Sequence, residues 1–294
     1  MGANAKPVPC STGGRERKTR PLFHTLFHYN VRGAHLSTNG NLLKAGLDMI
    51  VLVGAFLVSL IPSFAIFFWV RSLKRDASYK SNCNKALLYG LGSTFLAVLF
   101  SLVLNVTEAL SGIRGVSPLA TDAFHTFLVL ALCEEVAKFL VFRHFVKRTS
   151  YPFSWLDLIA TMIIVGIGFE VLESLIYAFG SGVPHMLVRG ITAMHVSYAF
   201  IMGYFYGKAQ HTGQKSYIAL AIGLPWIMHG AYDFGLRESL LALDEAFALL
   251  PLSLAALSVV LIVVMIVFMR KRRGNDVYTL PLQEFAQNGE ETEA

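Results

Sequence analysis

Two adjacent glutamates, Glu134 and Glu135, interrupt the apolar run LCEEVAKFLVF at residues 132–142. Three further apolar runs downstream carry Glu170 and Glu173, then Arg189 and His195, then His229 and Asp233. Carboxylates and imidazoles can take a proton from water, hold a metal ion or steady an oxyanion. The spacing brings several of them together. Glu170 and Glu173 are i,i+3 and share a helix face, while Glu134 and Lys138, like His229 and Asp233, are i,i+4 neighbours. A carboxylate one turn from a histidine can hold its ring and fix its tautomer, the usual support of metal and acid–base sites.

The elements that must position these groups are membrane helices. The chain has 294 residues, 54% hydrophobic and 15% charged, with mean hydropathy +0.54; an ordinary soluble domain carries about 25% charged residues. Seven apolar blocks, at 45–70, 87–106, 124–142, 155–179, 187–207, 217–235 and 245–269, are long enough to cross a hydrocarbon core of about 30 Å. The expected fold is an all-α polytopic transmembrane bundle of about seven spans, with a polar site among spans three to six. A polar, basic N-terminal tail is expected over 1–42, a transmembrane domain over 43–270 and a cytoplasmic tail over 271–294.

Four glutamates facing lipid would cost on the order of 10 kcal/mol, so they must face one another, a metal or trapped water. Depth agrees. At 1.5 Å per residue from the shared outer end of antiparallel spans, Glu134, Glu170, His195, Glu173 and His229 fall about 9–16 Å deep. Gly166, Gly168, Gly203 and Gly207 would let the carrying helices approach closely. A continuous fifth span sets Arg189 about 240° around the helix from His195, near the outer end, where it would snorkel to the headgroups.

Lys and Arg concentrate in the loops at 71–85, 143–153 and 208–216 and in RKRR at 270–273, which sets these segments and the C-terminus on the cytoplasmic side. The basic N-terminal tail conflicts with seven spans; a re-entrant segment would remove the conflict. The net charge of +6 is therefore a topology signal, and no nucleic-acid partner is expected. Cys10, Cys83 and Cys133 lack metal-site or disulfide spacing. MGANAK lacks the Ser/Thr of a myristoylation signal, and no removable signal peptide is marked. No internal repeat is found, which weighs against duplicated transporter folds. Tyr177, Tyr198 and Tyr204 could donate hydrogen bonds but are read as packing or interfacial residues, His125 as interfacial, and His24, His28, His144, His185 and His211 receive no role.

CEEVAK (133–138), GFEVLES (168–174), RGITAMH (189–195) and MHGAYD (228–233), in this order on successive spans, closely resemble the PrsW family of bacterial intramembrane metalloproteases. The resemblance covers about residues 120–235, and four ordered motifs are far more specific than one EExxK. It implies that Glu134 and Glu135 are essential, with His229 as their partner and with His195, Glu170 and Glu173 as further members. Many relatives have Asn where this chain has Ser174, so substrate contacts there would differ.

The expected activity is hydrolysis of a transmembrane or membrane-proximal peptide bond in a membrane-anchored protein substrate, within the lipid of a bacterial cytoplasmic membrane. Glu134, Glu135, His195 and His229 are the catalytic candidates, and the resemblance favours Glu134 as base. Glu170, Glu173, His195 and His229 are the metal candidates, with Lys138, Asp233 and Arg189 as supporting groups. Two chemistries fit: zinc holding and acidifying a water, or a metal-free glutamate mechanism with the histidines at the oxyanion. HExxH is absent, so zinc rests on residue types and the resemblance. A proton- or ion-coupled transporter would also use buried Glu and His, and a silent scaffold would keep the cluster for packing. The substrate and oligomeric state are not written in the sequence.

Overall fold

The computed structural model describes residues 40–110, 117–180 and 183–273. Most of the N-terminal tail expected over 1–42, and the C-terminal tail beyond residue 273, lie outside the described residues. Every apolar block forms helix. The elements are α1 (Gly40–Arg71), α2 (Ala77–Leu110), α3 (Pro118–Phe124), a π-helical segment (His125–Leu132), α4 (Cys133–Arg148), α5 (Trp155–Gly180), α6 (Val183–Thr192), α7 (Met194–Thr212), α8 (Ser216–Gly235), α9 (Glu238–Leu241), a 3-10 turn (Glu245–Ala248) and α10 (Leu249–Arg272).

Polar residues at the block edges start and stop these helices. Asp76 accepts the amide N–H of Tyr79 at 2.8 Å ahead of α2. Ser117, followed by Pro118, accepts that of Ala120 at 3.1 Å at the start of α3. Ser154 and Asp157 cap each other's amides, both at 3.1 Å, at the start of α5. These bonds satisfy donors that a helix N-terminus leaves free. Gly213, at φ 74°, closes α7 in the left-handed region, where glycine carries no steric penalty.

Helix α5 is the axis of the molecule. Among the described residues four helices are long and apolar enough to cross a membrane: Gly46–Arg71, Ala77–Thr107, Trp155–Ala178 and Glu245–Arg272. The most apolar window of α5 is 78% buried, against 28%, 22% and 22% for the other three, so α5 is wrapped by protein while the others present apolar faces outward. The π-segment with α4, α7 and α8 fall short by these measures. They carry the polar site residues and shield them against one another, which removes the need for an apolar surface.

Small residues set the closest packing around α5. A Cβ on Gly168 would lie 2.3 Å from the Leu87 carbonyl oxygen of α2, and one on Gly166 2.9 Å from the His195 carbonyl oxygen of α7. The helices meet backbone to backbone there.

The basic segments gather at one end. Lys74 pairs with Asp157 at 2.7 Å. The Trp155 indole donates to the Tyr204 carbonyl at 3.1 Å, stacks on His211 and lies under the Arg272 guanidinium. The end of α1, the start of α5 and the ends of α7 and α10 thus converge, as alternating spans require.

One block departs from the expectation. The fifth does not form a single rod: Ala193, at φ 44° and ψ 50°, turns left-handed between α6 and α7. This conformation is costly for a residue with a Cβ. It redirects α6, which packs on α1, and brings His195 to the first turn of α7.

Candidate active site

The glutamate pair lies just after the π-segment, whose wider turn commonly marks functional sites. Glu135 is fully buried; the Glu134 side chain keeps 12% of its surface exposed. The two address opposite nitrogens of one ring. Glu135 Oε1 lies 2.9 Å from His229 Nδ1, and Glu134 Oε2 lies 3.8 Å from His229 Nε2. One turn along α8, Asp233 Oδ2 stands 3.4 Å from the same Nε2. His229 thus meets carboxylates at both ring nitrogens, Glu135 at Nδ1 and Glu134 and Asp233 at Nε2, which hold the ring in place.

His195 faces this ring edge-on, with centroids 5.2 Å apart. Its Nδ1 lies 3.0 Å from the Lys138 ammonium, and its Nε2 lies 2.5 Å from Glu173 Oε2. Lys138 also donates to Glu135 Oε1 at 2.6 Å and stands 4.5 Å from the centre of the Phe169 ring. The i,i+4 pairing of Lys138 with Glu134 is therefore replaced by an i,i+3 pairing with Glu135, because Glu134 turns to the other edge of His229.

Arg189 does not snorkel. It is buried, pairs with Glu173, lies 2.9 Å from His195 Nε2 and 3.6 Å from Asp233 Oδ1, and covers the Tyr177 ring at 4.6 Å. The break at Ala193 is the reason: the angle expected for a continuous helix no longer applies, and α6 points the guanidinium inward.

Glu170 makes its described hydrogen bond outside this group. Its Oε2 accepts a hydrogen bond from Ser63 of α1 at 3.0 Å, which ties a lipid-facing helix to the core. Ser63 carried no signal in the sequence beyond being a small polar residue in an apolar run. Tyr198, read as packing, lies at the site with its ring stacked on His229 at 5.4 Å. Its i,i+3 spacing from His195 was the available signal.

The donor set suits a metal ion. Glu134, His195 and His229 each offer one ligand atom, and these atoms all lie within 4.8 Å of one another. Glu134 Oε2 and His229 Nε2 are buried with no hydrogen-bond partner among the described residues. Two nitrogens and one carboxylate oxygen are ligands that zinc takes, at bonds of about 2.0–2.2 Å, with a fourth position left for water. Glu134, Glu135, Glu170, Glu173 and Asp233 also outnumber the fixed cations Lys138 and Arg189, and a divalent ion would offset that excess.

Comparison with known proteins agrees with this chemistry. The family model described as PrsW family intramembrane metalloprotease matches residues 82–270, a wider stretch than the four motifs span. The Protease PrsW of Clostridioides difficile (strain 630) is 28% identical over 189 residues, 61% of this chain and 77% of the relative. That of Bacillus subtilis (strain 168) is 31% identical over 116 residues, 38% of this chain and 53% of the relative. That of Geobacillus kaustophilus (strain HTA426) is 32% identical over 119 residues, 39% of this chain and 53% of the relative. The chain thus spans about half the length of the latter two in the aligned region. No solved structure matches. The family gives the transporter alternative no support. With a match over residues 82–270 that contains every residue of the glutamate–histidine centre, the chain belongs to the PrsW family of intramembrane metalloproteases.

Proposed function

We propose that this chain hydrolyses a peptide bond within or beside a transmembrane segment of another membrane protein, and that Glu134 takes the proton of the attacking water. One observation carries the reading. Glu134 is the member of the Glu134–Glu135–His229 group with some exposure, 12% of its side chain, and it turns an unpartnered oxygen toward the unpartnered Nε2 of His229. A water between them would be held by both and would lose its proton to the carboxylate.

The remaining groups orient this pair. Glu135 holds His229 at Nδ1 and so keeps Nε2 turned toward Glu134 and the reaction. Lys138 and Glu173 hold His195 at its two nitrogens and fix its ring beside the position where the scissile carbonyl would lie. Arg189 neutralises Glu173. Asp233 is close enough to His229 Nε2 to stabilise the ring if it gains a proton. Zn²⁺ would be held by His229 and Glu134, with His195 joining them once one of its nitrogens exchanges Lys138 or Glu173 for the ion. One Glu134 oxygen would then bind the ion and the other take the water proton, and the ion would supply Lewis acidity toward the water and the carbonyl.

The fold favours a substrate that is itself in the bilayer, because the centre is enclosed by helices whose outer faces are apolar. We place the protein in a bacterial cytoplasmic membrane with the C-terminus cytoplasmic, on the strength of the basic segments gathered at one end. The test is single replacement of Glu134, Glu135 or His229 by Ala in protein reconstituted into liposomes. Cleavage of membrane-inserted reporter peptides should fall by a factor of at least about 100 in each. Unchanged turnover in all three rejects the reading. Elemental analysis should find zinc in the wild type and less of it in Glu134→Ala.

A further inference from the structure

We propose that Tyr198 is a further catalytic residue: its phenol donates a hydrogen bond to the oxyanion formed when water adds to the scissile carbonyl. This rests on the peptidase reading and assigns a role to a residue which that reading leaves unused.

Tyr198 belongs to α7, one turn beyond His195 and on the same face. It is 1% exposed. Its ring stacks on His229 with centroids 5.4 Å apart and planes 29° apart, and meets the edge of His195 at 6.1 Å and 89°. Both imidazoles of the centre therefore border this one side chain. Its hydroxyl is buried with no hydrogen-bond partner among the described residues, although Asp233 and Glu135 lie within electrostatic range. An unpaired buried hydroxyl lowers stability. Phenylalanine would give the same stack without that loss, so the hydroxyl is retained for a partner that arrives with the reaction. Glu134 Oε2 and His229 Nε2, which are among the other orphaned atoms of the centre, belong to the same group of touching side chains. Together they leave an acceptor for the water proton and a neutral donor for the carbonyl oxygen.

The step balances. The water oxygen forms a bond to the carbonyl carbon, the π pair moves onto the carbonyl oxygen, and the water proton passes to Glu134. Tyr198 keeps its own proton and donates only a hydrogen bond. Collapse breaks the C–N bond, and the proton held by Glu134 goes to the leaving amine. A donor placed for the oxyanion acts on the transition state more than on the bound substrate.

The experiment uses the full chain in liposomes with fluorogenic single-span peptides of about 20 apolar residues. A matching peptide carries a phosphinate in place of the scissile amide, to imitate the tetrahedral oxyanion. Tyr198→Phe should lower kcat about 100-fold with little change in KM. It should weaken phosphinate binding by a similar factor and leave thermal unfolding and binding of the uncleaved amide peptide to the Glu134→Gln protein unchanged. The inference is overturned if Tyr198→Phe retains kcat within about threefold of the wild type, against the larger loss typical of an oxyanion donor. It is equally overturned if both peptides weaken alike or the loss follows unfolding, since a packing role would do that. If the wild type neither cleaves any reporter nor prefers the phosphinate, the peptidase reading fails first and this inference with it.

Discussion

Lys138→Met separates the electrostatic role of this lysine from its packing. The side chain is 1% exposed. Its ammonium lies 2.6 Å from Glu135 Oε1, 3.0 Å from His195 Nδ1 and 4.5 Å from the Phe169 ring centre. Methionine keeps most of the stem and removes the charge. Glu135 then remains buried with the His229 Nδ1–H as its one described donor. Removing one partner of a buried ion pair costs about 3–5 kcal/mol, because the other charge stays uncompensated. Lost cation–π attraction adds about 1–2 kcal/mol. Lys138→Met should therefore unfold about 4–7 kcal/mol more easily, as read from reversible denaturant unfolding in detergent micelles.

The double variant Lys138→Met/Glu135→Gln neutralises both partners and should recover part of that loss, with a coupling of about 1–3 kcal/mol in the double-mutant cycle. Cleavage should be lost in the double variant, because His229 has lost its charged acceptor there. If Lys138→Met destabilises by less than about 1 kcal/mol, the range of an exposed pair, the ammonium is not the counter-ion that the geometry assigns. If the two substitutions merely add, Glu135 is not the charge it serves.

Three other outcomes follow from packing and backbone. Gly168→Ala should impair folding by about 1–3 kcal/mol or more, because its Cβ would meet the Leu87 carbonyl at 2.3 Å; wild-type unfolding would refute the backbone contact between α2 and α5. Ala193→Gly should stabilise the chain by about 1 kcal/mol, since glycine adopts the left-handed conformation freely; a lower unfolding midpoint would refute the strain at that joint. Ser63→Ala should cost about 1–3 kcal/mol by leaving Glu170 without its donor, while kcat at saturating reporter stays within about twofold. A collapse of kcat would instead put Glu170 in the chemistry.

Much of this architecture is written in the residues because lipid punishes misplaced charge. The glutamates and histidines of four apolar blocks had to find one another, and Glu134, Glu135, Glu173, His195 and His229 do meet. What escaped is what depends on local geometry or on neighbours. Alanine carries no signal for a left-handed turn, so the break at Ala193 was invisible and Arg189 was sent to the headgroups. The helical period allows Lys138 to reach Glu134 or Glu135 alike, and the choice is made by His229 from another helix. Hydropathy does not mark α5 as the axis, since it is no more apolar than the outer helices. Only packing around Gly166 and Gly168 shows which helix is enclosed. The bond from Ser63 to Glu170 escaped for a similar reason, since a serine on α1 is too common to announce a partner.

A single oxygen, Glu135 Oε1, receives both the Lys138 ammonium at 2.6 Å and His229 Nδ1 at 2.9 Å, and Lys138 extends the link to His195. Helices α4, α7 and α8 are thereby knotted at one atom. A newly inserted chain whose α8 has yet to dock holds its carboxylates without the imidazole that makes them useful. The centre is therefore complete only once α4, α7 and α8 have come together.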